Sequence, residues 1–199
     1  RLPVWLDAVR SGALPGGWAA DDGVGLLFRG RRLQRAVSSR QGAAEHARML
    51  ARHGYGVLIV DARGYDGSQG DPNLFGWEGA TDVDAAVAWL GRRPEVVDGR
   101  IGGMGFSVGG EVMLEAAASN DALRAVVSEG AGVRSVREHL LRGPKGWFSL
   151  PEAAVQTAAV AVMSGSAPPP SLGDIVSRIA PRPLLLIYAG RGGGGEELT

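Results

Sequence analysis

Short apolar runs alternate along the chain with longer segments in which apolar residues recur every three or four positions. The short runs occupy residues 56–61, 100–105, 123–127 and 183–188. Their length and near-continuous apolar character are typical of strands buried on both faces of a parallel sheet. The longer segments occupy residues 43–53, 81–92 and 108–119, and their spacing predicts amphipathic helices.

This alternation predicts an α/β fold, with a mostly parallel sheet and helices on both of its faces. Two regions depart from the alternation. Residues 24–37 contain two short apolar segments around a glycine, which predicts a hairpin, and residues 132–170 are a mostly helical excursion that ends in three prolines. Because 199 residues form one sizeable core, we expect a single domain, 1–199, in which 132–170 form a small helical lid.

Composition narrows the classes of partner. Lys and Arg total 21, as do Asp and Glu, so the formal net charge is zero and no global charge favours nucleic acid. There is no cysteine, and no apolar window approaches the roughly 18 residues of a membrane span. We find no metal-ligand cluster and no cofactor fingerprint, so neither a metal nor a cofactor is expected.

The stretch with the clearest chemistry is GMGFSVGG, residues 103–110, in which Ser107 stands between Gly105 and Gly109. The serine follows a predicted strand and opens a predicted helix. A sharp turn of this kind strains the serine backbone, requires small residues on both sides and exposes the hydroxyl at the carboxyl edge of the sheet. The helix N-terminus also brings the Val108 N–H and the positive end of the helix dipole to the same place.

Three stretches together resemble the α/β-hydrolase family, in particular its dienelactone-hydrolase-like and acylpeptidase-like branches. They are EHARMLARHGYGVLIVDARGYDGSQG (45–70), DVDAAVAWLGRRPEVVDGRIGGMGFSVGGEVMLEAAA (82–118) and IVSRIAPRPLLLIYAG (175–190). The resemblance implies an incomplete α/β-hydrolase fold and a serine hydrolase for ester or related acyl bonds. It implies Ser107 as nucleophile, Val108 as a backbone oxyanion donor and a small acyl or ester substrate. The oligomeric state stays open.

The chain departs from the family in the segment before the first helix. Relatives have a strand and a His-Gly loop there, and that loop supplies a second oxyanion N–H. Here residues 42–44 lead directly into Glu45, so the strand is expected to be absent. In an alternative alignment, residues 25–30 are that strand and Gly30 lies in the loop. The first and last residues suggest a chain cut at both ends.

The base and the acid of the expected triad are also in doubt. The family histidine follows the last strand, but this chain has only His46, His53 and His139. We interpret the first two as partly buried helix residues, and the third could reach the site only by an unusual path. Glu196 is the first candidate for the acid, although it and Glu197 could simply begin a helix.

Glu129, at the end of the preceding strand, is the other candidate for the acid. Asp61 and Arg63 are interpreted as residues that fasten the loop 64–77. Phe75 and Trp77 either line a substrate pocket or pack that loop. The sequence thus predicts a serine hydrolase impaired by a missing histidine and oxyanion loop. The alternative is a non-catalytic remnant or binding domain with the same fold.

Overall fold

The computed structural model describes residues 24–29, 32–38, 41–65, 68–72 and 74–188, with side chains from His46 onward apart from that of Lys145. Two sheets are present in this part of the chain. The first is an antiparallel hairpin of β1 (Val24–Arg29) and β2 (Arg32–Ser38). The second is parallel, in the order β3 (Ile101–Phe106), β4 (Leu123–Glu129) and β5 (Leu184–Ile187). The predicted α/β class is therefore confirmed.

The helices follow the predicted alternation, and the excursion at 132–170 is helical as expected. Their bounds are α1 Gln41–Arg52, α2 Gly79–Leu90, α3 Val108–Ser119, α4 Val136–Leu141, α5 Pro144–Ser164 and α6 Leu172–Ile175. Two short 3-10 helices occupy Leu74–Gly76 and Val176–Ile179.

The parallel sheet separates two apolar clusters. On one face, α1 contributes Ala47 and Leu50, which pack with Met104 and Val127 of the sheet. On the other face, α2, α3, α6 and the second 3-10 helix pack around Val126 and neighbouring sheet residues. Because an α/β sheet must bury both faces, this arrangement explains the near-continuous apolar strands of the sequence.

The prediction of a strand at 56–61 is wrong, because this segment has no regular secondary structure. Its side chains do alternate as those of a strand would: Val57 and Ile59 are buried in the α1 cluster, and Leu58 packs against the other cluster. A cavity of about 30 Å³ lies between residues 58–60 and the first residues of β3. The segment is thus held by its side chains, and within the described residues β3 pairs with β4 alone.

The hairpin leads into α1 with only residues 39 and 40 between β2 and the helix. No further strand fits between them, in agreement with the expected absence. The alternative alignment made residues 25–30 a strand of the main sheet. In the described part of the chain β1 pairs with β2 alone, which contradicts that alignment. Gly30 itself lies outside the described residues.

None of the helices in the described part of the chain combines the length and the hydropathy that crossing a bilayer requires.

Candidate active site

Ser107 occupies the turn between β3 and α3 in a backbone conformation that side chains rarely adopt. Its φ is 52° and its ψ is −123°. Its N–H donates to the carbonyl oxygen of Glu129 (2.8 Å), and its own carbonyl accepts from the N–H groups of Gly110 and Glu111. The strained residue is therefore fixed on both sides, to β4 before it and to the first turn of α3 after it. Its side chain is exposed.

The two glycines around Ser107 have different roles. A Cβ added to Gly105 would lie 2.1 Å from the Gly109 carbonyl oxygen and 2.7 Å from the backbone nitrogen of Gly110. Gly105 thus lets β3 touch the first turn of α3. A Cβ added to Gly109 would meet nothing within 4 Å. The expectation that a larger residue would clash at both positions is wrong for Gly109, because its Cβ would point into open space.

Val108 is the first residue of α3 and lies directly after the turn. The first N–H groups of a helix have no partner within the helix, and the helix dipole adds partial positive charge there. The loop before α2 packs on this same turn. A Cβ on Gly76 would come within 2.7 Å of the side chains of both Val108 and Val112. Phe75 beside it has a φ of 51° and is 56% exposed.

A cavity of about 110 Å³ opens beside this turn. The loop 74–77 lines it with Phe75 and Trp77, and α3 lines it with Val108 and Glu111. Its opposite wall comes from residues 133–135 and from α4 and α5. Ser107 is not among the lining residues, although its neighbour Val108 is. The two aromatic residues of the loop therefore line a cavity next to the turn, and one of them is strained.

His139, on α4, lies in the wall of this cavity. Its Nδ1 is 2.8 Å from Ser149 Oγ. Burial, followed by the positive charge of Arg142, lowers the pKa of His139 below 6.5, against the opposing effect of Glu138 and Glu152. The neutral imidazole is therefore favoured at neutral pH.

The other two histidines lie on α1. The ring of His46 is tilted against the ring of Phe106, with 4.6 Å between the centroids. His53 is exposed, and its Nδ1 donates to the Met49 carbonyl (2.8 Å). His46 thus contacts the residue directly before Ser107, a position that the sequence did not indicate. His53 only closes the end of its own helix.

The structure describes one of the three candidates for the catalytic acid. Glu196 and Glu197 lie outside the described residues. Glu129 is half-buried at the end of β4, and its backbone carbonyl accepts the Ser107 N–H. Of the three candidates, Glu129 is the one that the described structure brings next to the turn. In the part of the chain described, no group of three or more His, Asp or Glu residues is arranged to hold a metal ion.

Arg63 stabilises the loop after residue 60 through hydrogen bonds, as the sequence analysis predicted. Its guanidinium donates to Asp82 and Glu78, both at 2.8 Å, and to the Thr81 hydroxyl. Glu78 also accepts from the hydroxyl of Ser166 at 2.5 Å. The loop is thereby joined to the start of α2 and to the segment after α5. Asp61 contributes its carbonyl, which accepts from Ser68 Oγ at 2.7 Å.

A buried polar cluster under α4 was not predicted from the sequence. Glu138 is 4% exposed, and its carboxylate accepts the backbone N–H groups of Arg134, Ser135 and Leu172. Ser135 in turn accepts the N–H of Glu138, which completes a capping box. The Ser-x-x-Glu spacing of residues 135–138 was the signal that could have found it.

Arg134 and Glu111 belong to the same region. Arg134 Nη2 lies 2.5 Å from a carboxylate oxygen of Glu115, and Nη1 donates to the Glu111 carbonyl (3.3 Å). The carboxylate of Glu111 accepts the Gly132 N–H at 2.8 Å. The Nε of Arg134 is buried and has no hydrogen-bond partner in the described structure. Periodicity alone gave no signal for this cluster, because its partners come from three separate segments.

Residues 26–180 match the family model of the X-Pro dipeptidyl-peptidases, peptidase family S15. No curated protein sequence matches the chain. Solved structures share its fold at low identity. The α/β hydrolase GrgF from Penicillium sp. sh18 is 20% identical with a TM-score of 0.59, over 92% of this chain and 75% of its own.

Two further structures are esterases. One from Pyrococcus furiosus is 24% identical with a TM-score of 0.54, over 87% of this chain and 61% of its own. A glucuronoyl esterase from Solibacter usitatus is 16% identical with a TM-score of 0.52, over 88% and 56%. The chain thus spans less than two thirds of the length of these two esterases. The three similarities confirm an incomplete α/β-hydrolase fold, as the sequence predicted.

Proposed function

The chain belongs to the X-Pro dipeptidyl-peptidase family, S15, and we propose that it is a serine hydrolase that cleaves ester or related acyl bonds with Ser107 as nucleophile. The observation that carries the proposal is the backbone of Ser107, which holds φ at 52° between a buried strand and a helix N-terminus. A strained, exposed serine at that point costs stability without any benefit to packing. Nucleophilic attack from the carboxyl edge of the sheet is the function that such a turn serves.

In the proposed mechanism, Ser107 Oγ forms a bond to the acyl carbon while its proton passes to a base. The carbonyl oxygen of the substrate becomes an oxyanion, which the Val108 N–H and the N-terminus of α3 stabilise. Collapse of the tetrahedral intermediate expels the alcohol or amine, which takes up the proton, and leaves an acyl-serine. Water then attacks the acyl-serine by the same steps. The helical segment 132–170 acts as a cap over the substrate.

The acid and base complete the proposal. Glu196 is the first candidate for the acid, and Glu197 and Glu129 are the alternatives. The described hydrogen bonds of His53 and His139 go to Met49 and Ser149. A serine without a base loses about four to six orders of magnitude in rate, so we propose that ester turnover is slow unless His46, which contacts Phe106, or His139, which lines the cavity, takes the proton of Ser107.

The test identifies the nucleophile by covalent labelling, independently of the rate of turnover. A fluorophosphonate probe labels an activated serine covalently, and intact-mass measurement counts the labels. We expect one label, incorporated slowly, on the wild-type chain and none on Ser107→Ala, with Ser149→Ala as the control that retains Ser107. Hydrolysis of 4-nitrophenyl acetate and of an X-Pro 4-nitroanilide is then measured for the same three proteins.

The outcomes decide between the two functions. Labelling at Ser107, with or without fast turnover, supports the hydrolase. No labelling and no Ser107-dependent hydrolysis would favour the non-catalytic binding domain instead. If turnover does depend on Ser107, His46→Gln and His139→Gln identify the base, because only the variant that lacks the base loses the rate with every substrate.

A further inference from the structure

The outward side of helix α5 carries a continuous row of apolar residues. Phe148, Val155 and Val162 lie seven residues apart and are 90%, 70% and 85% exposed. Pro151 and Ala158 lie between them and are exposed as well. Alternating steps of three and four residues are the spacing of the seam along which two helices pair. We call these five residues the α5 stripe, and it extends for about 21 Å along the helix axis.

The inward side of α5 is already packed. Ala153 and Val160 are buried, and they line the cavity beside the Ser107 turn. A helix at a protein surface normally turns charged or polar residues to water on the side away from the core. Here both sides are apolar, and an exposed apolar patch of this length indicates a contact with another molecule.

The sequence of α5 favours an uncharged partner surface. Glu152 is the single charged residue between positions 146 and 163. A strongly charged partner would therefore find no complementary charge there. Helices that lie on a lipid surface carry Lys or Arg beside their apolar face, and these positions contain neither. A second copy of the chain presents the same uncharged stripe, so the two surfaces match in character.

The order of side-chain sizes along the stripe favours an antiparallel pair. When two stripes cross at Val155, Phe148 of one copy meets Val162 of the other, because both lie seven residues from the centre. The bulky ring thus faces a small side chain at each end. The two Glu152 residues are separated by about 9 Å along the helix axis. In a parallel pair the two rings would meet each other, and so would the two carboxylates.

The exposed area is sufficient for a reversible dimer. Trp147 and Met163 flank the ends of the stripe and are more than half exposed. With roughly 100–200 Å² for a whole apolar side chain of this size, the stripe and its two flanking residues expose on the order of 600 Å². Two copies together then bury about 1,200 Å², which is the lower limit of specific interfaces.

We infer that the α5 stripe docks on the same stripe of a second copy of this chain, with the two helices antiparallel and Val155 on the two-fold axis. Such an interface is isologous, since the same surface serves both copies. The cap helix of each copy then lies between its own cavity and its partner. The inference does not depend on the chemistry proposed at Ser107.

A charged residue at the axis tests the pairing. Sedimentation velocity over a range of micromolar concentrations should show a wild-type dimer that dissociates on dilution. Val155→Glu and Val155→Lys should each raise the dissociation constant of the dimer by about 100-fold or more, because like charges then face each other across the axis. An equal mixture of the two variants should dimerise again, since glutamate then meets lysine. Val97→Glu is the matched control, because Val97 is also exposed but lies outside α5. Circular dichroism checks that every variant is folded.

Cysteine cross-linking tests the direction of the two helices. The chain has no cysteine of its own, so one introduced thiol reports one contact. Val155→Cys should form a disulfide-linked dimer under mild oxidation much faster than Val97→Cys, because a disulfide requires the two Cα atoms to lie within about 7 Å. Phe148→Cys mixed with Val162→Cys should form the mixed dimer in preference to either like pair.

Three results would overturn the inference. The first is a wild-type monomer at every concentration, and the second is a mixture of the two charged variants that stays monomeric. The third is preferential linking of Phe148→Cys to itself, which requires parallel helices. Binding of a monomeric wild type to phosphatidylcholine vesicles, lost in Val155→Glu, would assign the stripe to a lipid surface instead. Labelling of Ser107 does not enter these measurements, so the dimer and the proposed hydrolase succeed or fail separately.

Discussion

Replacing Gly105 by alanine tests the close contact between β3 and α3 that holds the Ser107 turn. The new Cβ would lie 2.1 Å from the Gly109 carbonyl oxygen and 2.4 Å from the Gly109 carbonyl carbon. An ordinary contact at this position is at least 3.4 Å. Both obstructing atoms belong to the backbone of α3, so no side-chain rotation can make room. The strand and the first turn of the helix would have to move apart.

The expected cost follows from that separation. Overpacking a well-packed core costs about 1–3 kcal/mol where side chains can adjust, and here the obstruction is backbone. We therefore expect Gly105→Ala to lower the free energy of unfolding by about 3 kcal/mol or more. For a domain of this size, that corresponds to a fall in Tm of about 6–12 °C. The turn should shift with the helix, so labelling of Ser107 by the fluorophosphonate should also decline.

Gly109→Ala is the matched control within the same motif. Its Cβ would meet nothing within 4 Å, and alanine is favoured over glycine within a helix by about 0.5–1 kcal/mol. We expect Gly109→Ala to be as stable as the wild type or slightly more stable. Urea unfolding, followed by tryptophan fluorescence and circular dichroism, measures both variants against the wild type. A Gly105→Ala protein no less stable than Gly109→Ala would refute the argument from contact distance.

The remaining predictions concern strain, buried charge and pH. Ser107→Gly should unfold at a higher temperature than Ser107→Ala, because alanine keeps the strain of a positive φ, worth about 1–3 kcal/mol, whereas glycine relieves it; equal melting temperatures would count against strain. Glu138→Gln should cost about 2–4 kcal/mol in urea unfolding, because one acceptor oxygen facing backbone N–H groups becomes an NH₂ donor, while exposed Glu152→Gln should change little. In the folded chain the pKa of His139 is lowered, chiefly by burial and then by Arg142. The contribution of the neutral imidazole to stability is therefore complete above pH 6.5 and is lost as pH falls through the folded pKa, because the unfolded chain takes up the proton first. The wild type should lose stability relative to His139→Gln between pH 8 and pH 5, and parallel pH profiles of the two proteins would contradict the lowered pKa.

Local patterns were enough to predict the elements that position the site. The apolar run before Ser107 and the helical spacing after it were sufficient for β3, α3 and the turn between them. The segment at 56–61 was predicted as a strand by the same reasoning, and its side chains do bury on both faces. It did not form a strand because pairing requires backbone hydrogen bonds to a neighbouring strand, which the pattern of one segment does not encode. The hydrophobic pattern predicts which side chains are buried and does not predict which strand the backbone pairs with.

The buried polar residues around the cavity could not be predicted from local sequence patterns for a similar reason. Glu138 joins its own helix to Leu172, 34 residues away, and Arg134 joins residue 115 to the start of α4. Each of these residues would read as a solvated charge when taken alone, since glutamate and arginine are seldom buried. Only the packing of three segments shows that they are buried and which atoms they satisfy. The capping box of residues 135–138 was the one part of this cluster with a local signature.

The two strained residues of the described chain argue for a site more strongly than either motif does. Among the non-glycine residues described, positive φ occurs at Phe75 and Ser107 alone, and both lie against the first turn of α3. Gly76 fits between the side chains of Val108 and Val112 with no room for a Cβ, which fixes Phe75 beside the cavity. Strain persists only where surrounding contacts determine the conformation. Two separate segments thus each hold a strained residue against the same helix N-terminus, which is the geometry that the proposed chemistry at Ser107 requires.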